Sequence, residues 1–127
     1  MNSIQKTKVE ECWVLIGKRR DGIWISRRRR YSIGKPTTVA FDARWTLLRE
    51  ETHGDVVGFL HTHPAGSPTP SRRDLRTMKA WVGSFGKPML CVIAAPHRTR
   101  GYVFDGKDRH EVDRIVQFSR GLIIVVE

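Results

Sequence analysis

The sequence has few cysteines, no long apolar segment and no internal repeat. Its two cysteines, Cys12 and Cys91, are far apart and lie in apolar stretches. They cannot form the disulfide framework of a small secreted protein, so we expect reduced thiols in the core. No apolar run approaches the roughly 20 residues of a transmembrane helix, and the first residues lack the apolar stretch of a signal peptide. The sequence therefore predicts a cytoplasmic protein with no membrane segment.

Acidic residues are also scarce, and the surplus of positive charge is the unusual number in the composition. Lys and Arg total 23 against 13 Asp and Glu, which gives a net charge of +10. Such a charge suits nucleic acid, a membrane surface or an acidic protein and does not choose among them. The length of 127 residues fits one domain with a real core. No linker-like stretch divides the chain, so we predict a single domain over residues 1–127.

Hydrophobic patterns and turn residues predict a mixed α/β domain with a central sheet. Asp21-Gly22 is a strong two-residue hairpin signal between the first two strands. The long apolar strands predict that both faces of the sheet are covered. The predicted strands are 11–17, 22–26, 56–60, 89–95, 100–104 and 122–126, and the predicted helices are 42–51, 71–85 and about 107–119.

The segment His61-Thr62-His63-Pro64 carries the chemistry that the sequence indicates. If His61 and His63 share a strand, the two-residue repeat puts both imidazoles on one face. Their Cα atoms would be roughly 6–7 Å apart, close enough for both side chains to reach one metal ion. Asp74, in the first turn of the next helix, can bring a carboxylate over the pair. Together they would give Zn²⁺ three ligands and leave a fourth position for the water that hydrolysis consumes.

The residues of this segment also have purely structural explanations. Ser71 and Asp74 also match the capping-box pattern at a helix start, which needs no catalysis and can coexist with a catalytic role. Two histidines at alternating positions followed by a carboxylate favour a metal site over a purely structural one. The remaining histidines lack such spacing, and we interpret them as loop or surface residues: His53, His97 and His110.

A hydrolytic zinc site also needs a carboxylate that carries the proton of the attacking water to the leaving amine. Spacing alone does not identify this group. The candidates are two glutamates at the start of the first strand and two at the end of the first helix, namely Glu10, Glu11, Glu50 and Glu51. Glu10 and Glu11 lie on opposite faces of their strand, so one of the two should face the interior.

The spacing of the histidine segment resembles a known motif. His61-x-His63-Pro64-x6-Ser71-x-x-Asp74 is similar to the JAMM motif of the JAB1/MPN/Mov34 metalloenzymes. Five typed positions at fixed spacing make this motif specific. The order of predicted elements resembles that family over most of the chain.

The resemblance also extends upstream, where the family has a glutamate seven residues before a glycine. Glu10 stands seven residues before Gly17. The resemblance therefore implies that Glu10 is the general acid and base and that Ser71 donates a hydrogen bond to the tetrahedral oxyanion. It implies one Zn²⁺ per chain with three protein ligands, which are His61, His63 and Asp74.

The same resemblance implies a fold and a function. The fold would be a single MPN domain, a central mixed β-sheet flanked by helices and layered as in cytidine deaminases. Small bacterial enzymes that remove ubiquitin-like proteins from conjugates, or trim their C-terminal extensions, look most similar within the family. The implied activity is that of a zinc-dependent isopeptidase or peptidase acting on a ubiquitin-like protein. E1- and E2-like proteins of a bacterial conjugation operon, antiviral ones included, would be its partners.

A DNA-associated role is the main alternative. The stretch from His63 to Ser71 is also similar to that of RadC-like proteins linked to DNA repair, and the net charge of +10 would suit nucleic acid. The strand that begins near Glu10 resembles the peptidase branch instead, so we do not favour nucleic acid as the partner. A zinc deaminase is disfavoured because its Pro-Cys-x-x-Cys half is absent. A metal-free scaffold is disfavoured because every ligand position is filled.

Seven basic residues flank the predicted hairpin turn, and four of them are consecutive. Like charges so close together repel one another, so this end of the hairpin should lie in water. The simpler interpretation is a solvated surface that aids solubility. The functional interpretation is a binding face for an acidic partner, formed by Arg27, Arg28, Arg29 and Arg30.

Overall fold

The computed structural model describes residues 9–34, 41–106 and 108–127. The strands are β1 (Glu11–Arg20), β2 (Ile23–Ile33), β3 (Val56–Thr62), β4 (Met89–Ala95), β5 (Arg98–Phe104), β6 (Arg109–Glu111), β7 (Arg114–Gln117) and β8 (Leu122–Val126). The helices are α1 (Ala43–His53) and α2 (Arg72–Phe85), and a 3-10 turn spans Ser119–Gly121. Neither α-helix in these ranges is long and apolar enough to cross a membrane.

The strands form one mixed sheet in the order β6-β5-β4-β3-β1-β2-β8-β7. β3 and β4 run parallel, while the other neighbouring pairs of described strands are antiparallel. The hairpin predicted at Asp21-Gly22 joins β1 to β2, and both turn residues adopt a positive φ, 52° and 76°. The mixed α/β class with a central sheet is confirmed.

Both helices pack on one face of the sheet. α1 begins after Asp42, whose carboxylate accepts a hydrogen bond from the Trp45 backbone N–H at 3.1 Å. Trp45 and Phe41 pack from the α1 side, and α2 contributes Met78 and Val82. The other buried side chains of this core come from the strands: Val14, Val56, Phe59, Met89, Cys91, Ile93, Tyr102 and Phe104. Both cysteines are buried and neither forms a disulfide, as predicted.

The opposite face is covered by the sheet itself, which curls until its two ends meet. β5 and the chain around β7 approach so closely that a Cβ on Gly101 would lie 2.9 Å from the Val112 side chain and 3.0 Å from that of Ile115. Glycine is therefore needed where these segments cross. The second core fills this curl with Leu15, Trp24, Val57, Leu60, Leu90, Val92, Val103, Val112, Ile123 and Val125.

The third helix predicted near residues 107–119 is wrong. The described part of this segment forms β6 and β7, which pair with β5 and β8 at opposite ends of the sheet. Val112, Ile115 and Val116 have the spacing of a helix face, but Val112 and Ile115 pack into the second core instead. Long-range strand pairing therefore overrides a local pattern that fits a helix.

Candidate metal centre

The two histidines of the motif lie at the carboxyl end of β3, where the strand leaves the sheet. His61 is 1% exposed and pairs across the sheet with Cys12 on β1 and Ile93 on β4. His63 follows the strand, and its backbone N–H donates to the Ala94 carbonyl at 2.9 Å. The Nε2 atoms of His61 and His63 lie 3.1 Å apart. The chain thus brings both imidazoles to one face, as their spacing predicts.

Asp74 reaches this pair from the first turn of α2, where a capping box holds it. Its Oδ2 accepts a hydrogen bond from the Ser71 backbone N–H at 2.8 Å, and the Asp74 backbone N–H donates to Ser71 Oγ at 3.1 Å. The carboxylate is buried. Oδ1 lies 3.1 Å from His61 Nε2, and Oδ2 lies 3.1 Å from His63 Nε2. The helix cap therefore also positions a carboxylate against the histidines.

These three side chains fit a zinc ion by their chemistry and by their separation. Two imidazole nitrogens and a carboxylate are among the ligands that Zn²⁺ takes in catalytic sites. Tetrahedral bonds of about 2.0–2.1 Å place neighbouring ligand atoms roughly 3.3 Å apart. Here the two Nε2 atoms are 3.1 Å apart, and each lies 3.1 Å from a different oxygen of the Asp74 carboxylate.

A backbone carbonyl sets the tautomer of His63. The Ser67 carbonyl oxygen lies 2.7 Å from His63 Nδ1 and can only accept, so Nδ1 carries the hydrogen. In the neutral ring, Nε2 then presents its lone pair to the centre, as a metal ligand must. The hydrogen bond with Asp74 raises the pKa of His63, and the Ser67 carbonyl adds to this against the opposing effect of burial.

The electrostatics of Asp74 favour a cation at this point. Burial tends to raise its pKa, but hydrogen bonds with His61 and His63 outweigh that effect and hold the pKa far below its usual range. The carboxylate is therefore ionised, although it is almost fully enclosed. A buried negative charge requires a positive partner to offset its desolvation.

Glu10 faces the two histidines from the residue before β1. One ligand atom each from Glu10, His61 and His63 lies within 4.8 Å of the others. Two hydrogen bonds fix the backbone here: Gly34 N–H donates to the Glu10 carbonyl at 2.6 Å, and Glu11 N–H donates to Thr62 Oγ1 at 2.9 Å. Among the described residues, no group bonds the buried Oε1 atom of Glu10. A buried acceptor of this kind is expected to accept a hydrogen bond from a bound water or substrate.

The other glutamates considered from the sequence are engaged elsewhere or exposed. Glu11 accepts a hydrogen bond from the Tyr31 hydroxyl at 2.8 Å. Glu50 forms an ion pair with Lys87 at 2.8 Å, and Glu51 is exposed on α1. The fold therefore distinguishes Glu10 from the other three candidate glutamates, which spacing alone does not.

A groove of about 540 Å³ opens beside this centre. Glu10, His63 and Ser71 are among the residues that line it. Ser71 Oγ accepts the hydrogen bond from Asp74 N–H, so its own hydrogen remains available to a group bound in the groove. Polypeptide could therefore approach the centre from this side.

The four consecutive arginines of β2 are exposed, but they do not form one patch. The register with β1 shifts between Trp13 and Leu15, opposite this run, so the simple alternation of side chains is interrupted. Arg28 and Arg30 contact opposite faces of the sheet. Arg28 stacks over the Trp13 ring with 5.1 Å to its centre, and Arg30 pairs with Asp42 at 2.9 Å. A partner-binding role for this run stays a prediction.

Two contacts of the centre were not expected from the sequence. The Ser67 carbonyl carries no side-chain signal, and the hydrogen bond from the Glu11 backbone N–H to Thr62 Oγ1 depends on how β1 lies beside β3. Arg72 and Arg73 stand inside the recognised motif, at positions where the motif accepts any residue. Their charge was visible in the sequence, but their place along the groove was not.

Residues 4–112 match the family described as prokaryotic homologs of the JAB domain (Prok-JAB). This segment includes every residue of the candidate centre and ends before β7 and β8. The chain matches no curated protein at a significant level.

Proposed function

Since the chain belongs to the family of prokaryotic JAB-domain homologues, we propose that it is a zinc-dependent peptidase or isopeptidase. The observation that carries this proposal is the convergence of His61, His63 and Asp74, whose ligand atoms are 3.1 Å apart. Glu10 stands within reach of the same point, with a buried oxygen that lacks a described partner. The family fits peptidase chemistry, and this group of side chains fits the metal.

In this proposal His61, His63 and Asp74 hold one Zn²⁺ per chain. When bound, the metal would supply Lewis acidity for the scissile carbonyl and for the attacking water. Ser67 fixes the His63 ring through Nδ1, and the capping box fixes Asp74, so two of the three ligands are held in position by backbone groups. Such preorganisation limits the rearrangement that metal binding requires.

Glu10 and Ser71 would carry the proton and charge steps. Glu10 accepts the proton of the attacking water and passes it to the leaving amine, because its carboxylate faces the histidines and lines the groove. Ser71 donates its hydroxyl hydrogen to the oxygen of the tetrahedral intermediate. Both groups border the groove that a peptide bond would enter.

We further assign a ubiquitin-like protein as the substrate, cleaved from conjugates or trimmed at its C-terminal extension. Resemblance of the motif to small bacterial deconjugating enzymes supports this assignment. α2 and β4 are joined by a three-residue turn at 86–88, which leaves no room there for a large substrate-gripping insertion. A flexible tail, presented by E1- or E2-like partners of a bacterial conjugation operon, antiviral ones included, suits such a site. Two buried cysteines outside any disulfide favour the cytoplasm.

The experiment compares wild type with Glu10→Gln on a ubiquitin-like fusion, and measures bound zinc in both. We expect Glu10→Gln to keep its zinc and to lower kcat by about 10²–10⁴-fold, since it removes the proton carrier. Glu11→Gln is the matched control, because Glu11 is the next residue and bonds Tyr31 instead. Full activity in Glu10→Gln would reject Glu10 as the base, and an inactive zinc-loaded wild type would reject this substrate.

A further inference from the structure

Three arginines of α2 line the groove beside the candidate centre, and none has an acidic partner in the described part of the chain. They are Arg72, Arg73 and Arg76. Four arginines in the described ranges form ion pairs with carboxylates, namely Arg19, Arg30, Arg49 and Arg100, and the three groove arginines are not among them. The groove therefore gathers guanidinium groups that the fold leaves unneutralised.

These positions are unfavourable for the helix that carries them. Arg72 and Arg73 are the first two residues of α2, where the macrodipole favours acidic side chains. Arg76 lies four residues after Arg72, so their like charges repel along one helix face. Residues that work against their own element are typical of functional positions.

The same groove is lined by three residues of the candidate centre, Glu10, His63 and Ser71, and by the three arginines of α2. Arg72 and Arg76 are exposed and Arg73 is half-buried, so all three can reach a bound chain. A guanidinium group donates two parallel hydrogen bonds to a carboxylate, which makes this residue type suited to an acidic group.

We propose that the groove binds a carboxylate of the polypeptide substrate close to the scissile bond. The inference rests on the peptidase function proposed above and specifies its substrate class: a chain with Asp or Glu, or a free C-terminal carboxylate, beside the bond that is cut. Arg72, Arg73 and Arg76 are then specificity residues. They act on substrate binding, whereas Glu10 and Ser71 act on the reaction.

The test uses fluorescein-labelled peptides of equal length with two Glu or two Gln residues beside a Gly-Gly bond, each made as a free acid and as a C-terminal amide. Affinity is measured by anisotropy with zinc-loaded Glu10→Gln protein, and cleavage is measured with wild type. We expect the Glu peptide to bind about tenfold more tightly than the Gln peptide. Preference for the free acid over the amide at equal sequence would assign the terminal carboxylate as the source.

Replacing all three arginines by Gln, a good helix former, should bring the ratio of Glu-peptide to Gln-peptide affinity close to one. Lys79→Gln is the control, because Lys79 is an exposed cation on α2 outside this groove. Arg76→Glu should shift the preference towards a Lys-containing peptide. Circular dichroism shows whether each variant keeps α2.

Equal affinity for Glu and Gln peptides, or a preference that survives the triple replacement, overturns the inference. It is also overturned if a DNA oligonucleotide binds through these arginines and the Glu peptide does not displace it. If both peptides are cut equally, the peptidase proposal stands and the carboxylate preference fails. If the Glu peptide binds through the arginines but wild type cuts no peptide, the carboxylate site stands and the peptidase proposal fails.

Discussion

At the scale of single residues, the Ser71 side chain has two roles, one in the fold and one in the proposed chemistry. Its Oγ accepts the Asp74 backbone N–H at 3.1 Å and so caps α2. Its hydroxyl hydrogen remains available to the groove that Ser71 lines. The structural and the catalytic interpretation of the sequence motif are therefore compatible, and different substitutions separate them.

Replacing Ser71 should affect stability and turnover in separable ways. Ser71→Ala removes the cap and the donor, so we expect about 1 kcal/mol lower stability and a kcat lower by about 10²–10³-fold. Ser71→Thr keeps both functions, while Ser71→Asp keeps the cap and loses the donor. Urea unfolding and fusion cleavage measure the two effects. Unchanged kcat in Ser71→Ala would leave Ser71 with the cap alone.

At the scale of elements, the Glu127 side chain contacts residues of three different strands. Its carboxylate accepts hydrogen bonds from Arg19 on β1 at 2.6 and 2.8 Å and from the Trp24 indole on β2 at 2.7 Å. His110 on β6 lies 3.3 Å from the same group. The hydrogen bond from Arg19 is the largest cause of a lowered pKa at Glu127, although burial opposes it. One carboxylate thus connects strands from both ends of the curled sheet.

Glu127 predicts a defined acid sensitivity. Because its pKa is lower folded than unfolded, its contribution is complete above the unfolded value of about 4.3 and is lost as pH falls through the folded value. Glu127→Gln should therefore cost about 1–3 kcal/mol at pH 7 and less at pH 3. Urea unfolding at both pH values measures this, with the exposed Glu51→Gln as control. An equal loss at pH 7 and pH 3 would contradict it.

Elements with strong local signals could be predicted from the sequence. Asp21-Gly22 marks the first hairpin, Asp42 and Ser71 cap the helices, and β4 and β8 have the predicted bounds. The segment at 107–119 could not be predicted, because its apolar spacing fits a helix and only distant partners make it two strands. A local sequence pattern predicts an element correctly unless long-range strand pairing buries the same apolar residues in another way.

The candidate site, too, could be predicted from the sequence only in part. Spacing alone brings His61, His63 and Asp74 together, since a strand period and a helix start fix their directions. Choosing Glu10 from spacing was not possible, because the choice depends on how β1 is held beside β3. The Ser67 carbonyl has no sequence signal at all, so the tautomer of His63 required the loop conformation.

At the scale of the whole molecule, the net charge of +10 does not show where the basic residues lie. The arginine run of β2 is divided between two faces and partly engaged by Trp13 and Asp42. Three arginines without described partners lie instead along the groove that leads to the metal ligands. The surplus therefore includes a local positive field beside the proposed reaction centre, where it would steer a negatively charged chain.

The central claim is that His61, His63 and Asp74 hold a zinc ion, and metal analysis by mass spectrometry tests it most directly. We predict one zinc per chain in purified or zinc-reconstituted wild type, and a loss in His63→Ala and Asp74→Asn, each of which removes one of three ligands. His97→Ala, an exposed histidine outside the centre, should keep its zinc. A folded wild type that takes up no zinc, or a His63→Ala variant that retains it with unchanged affinity, would contradict the account.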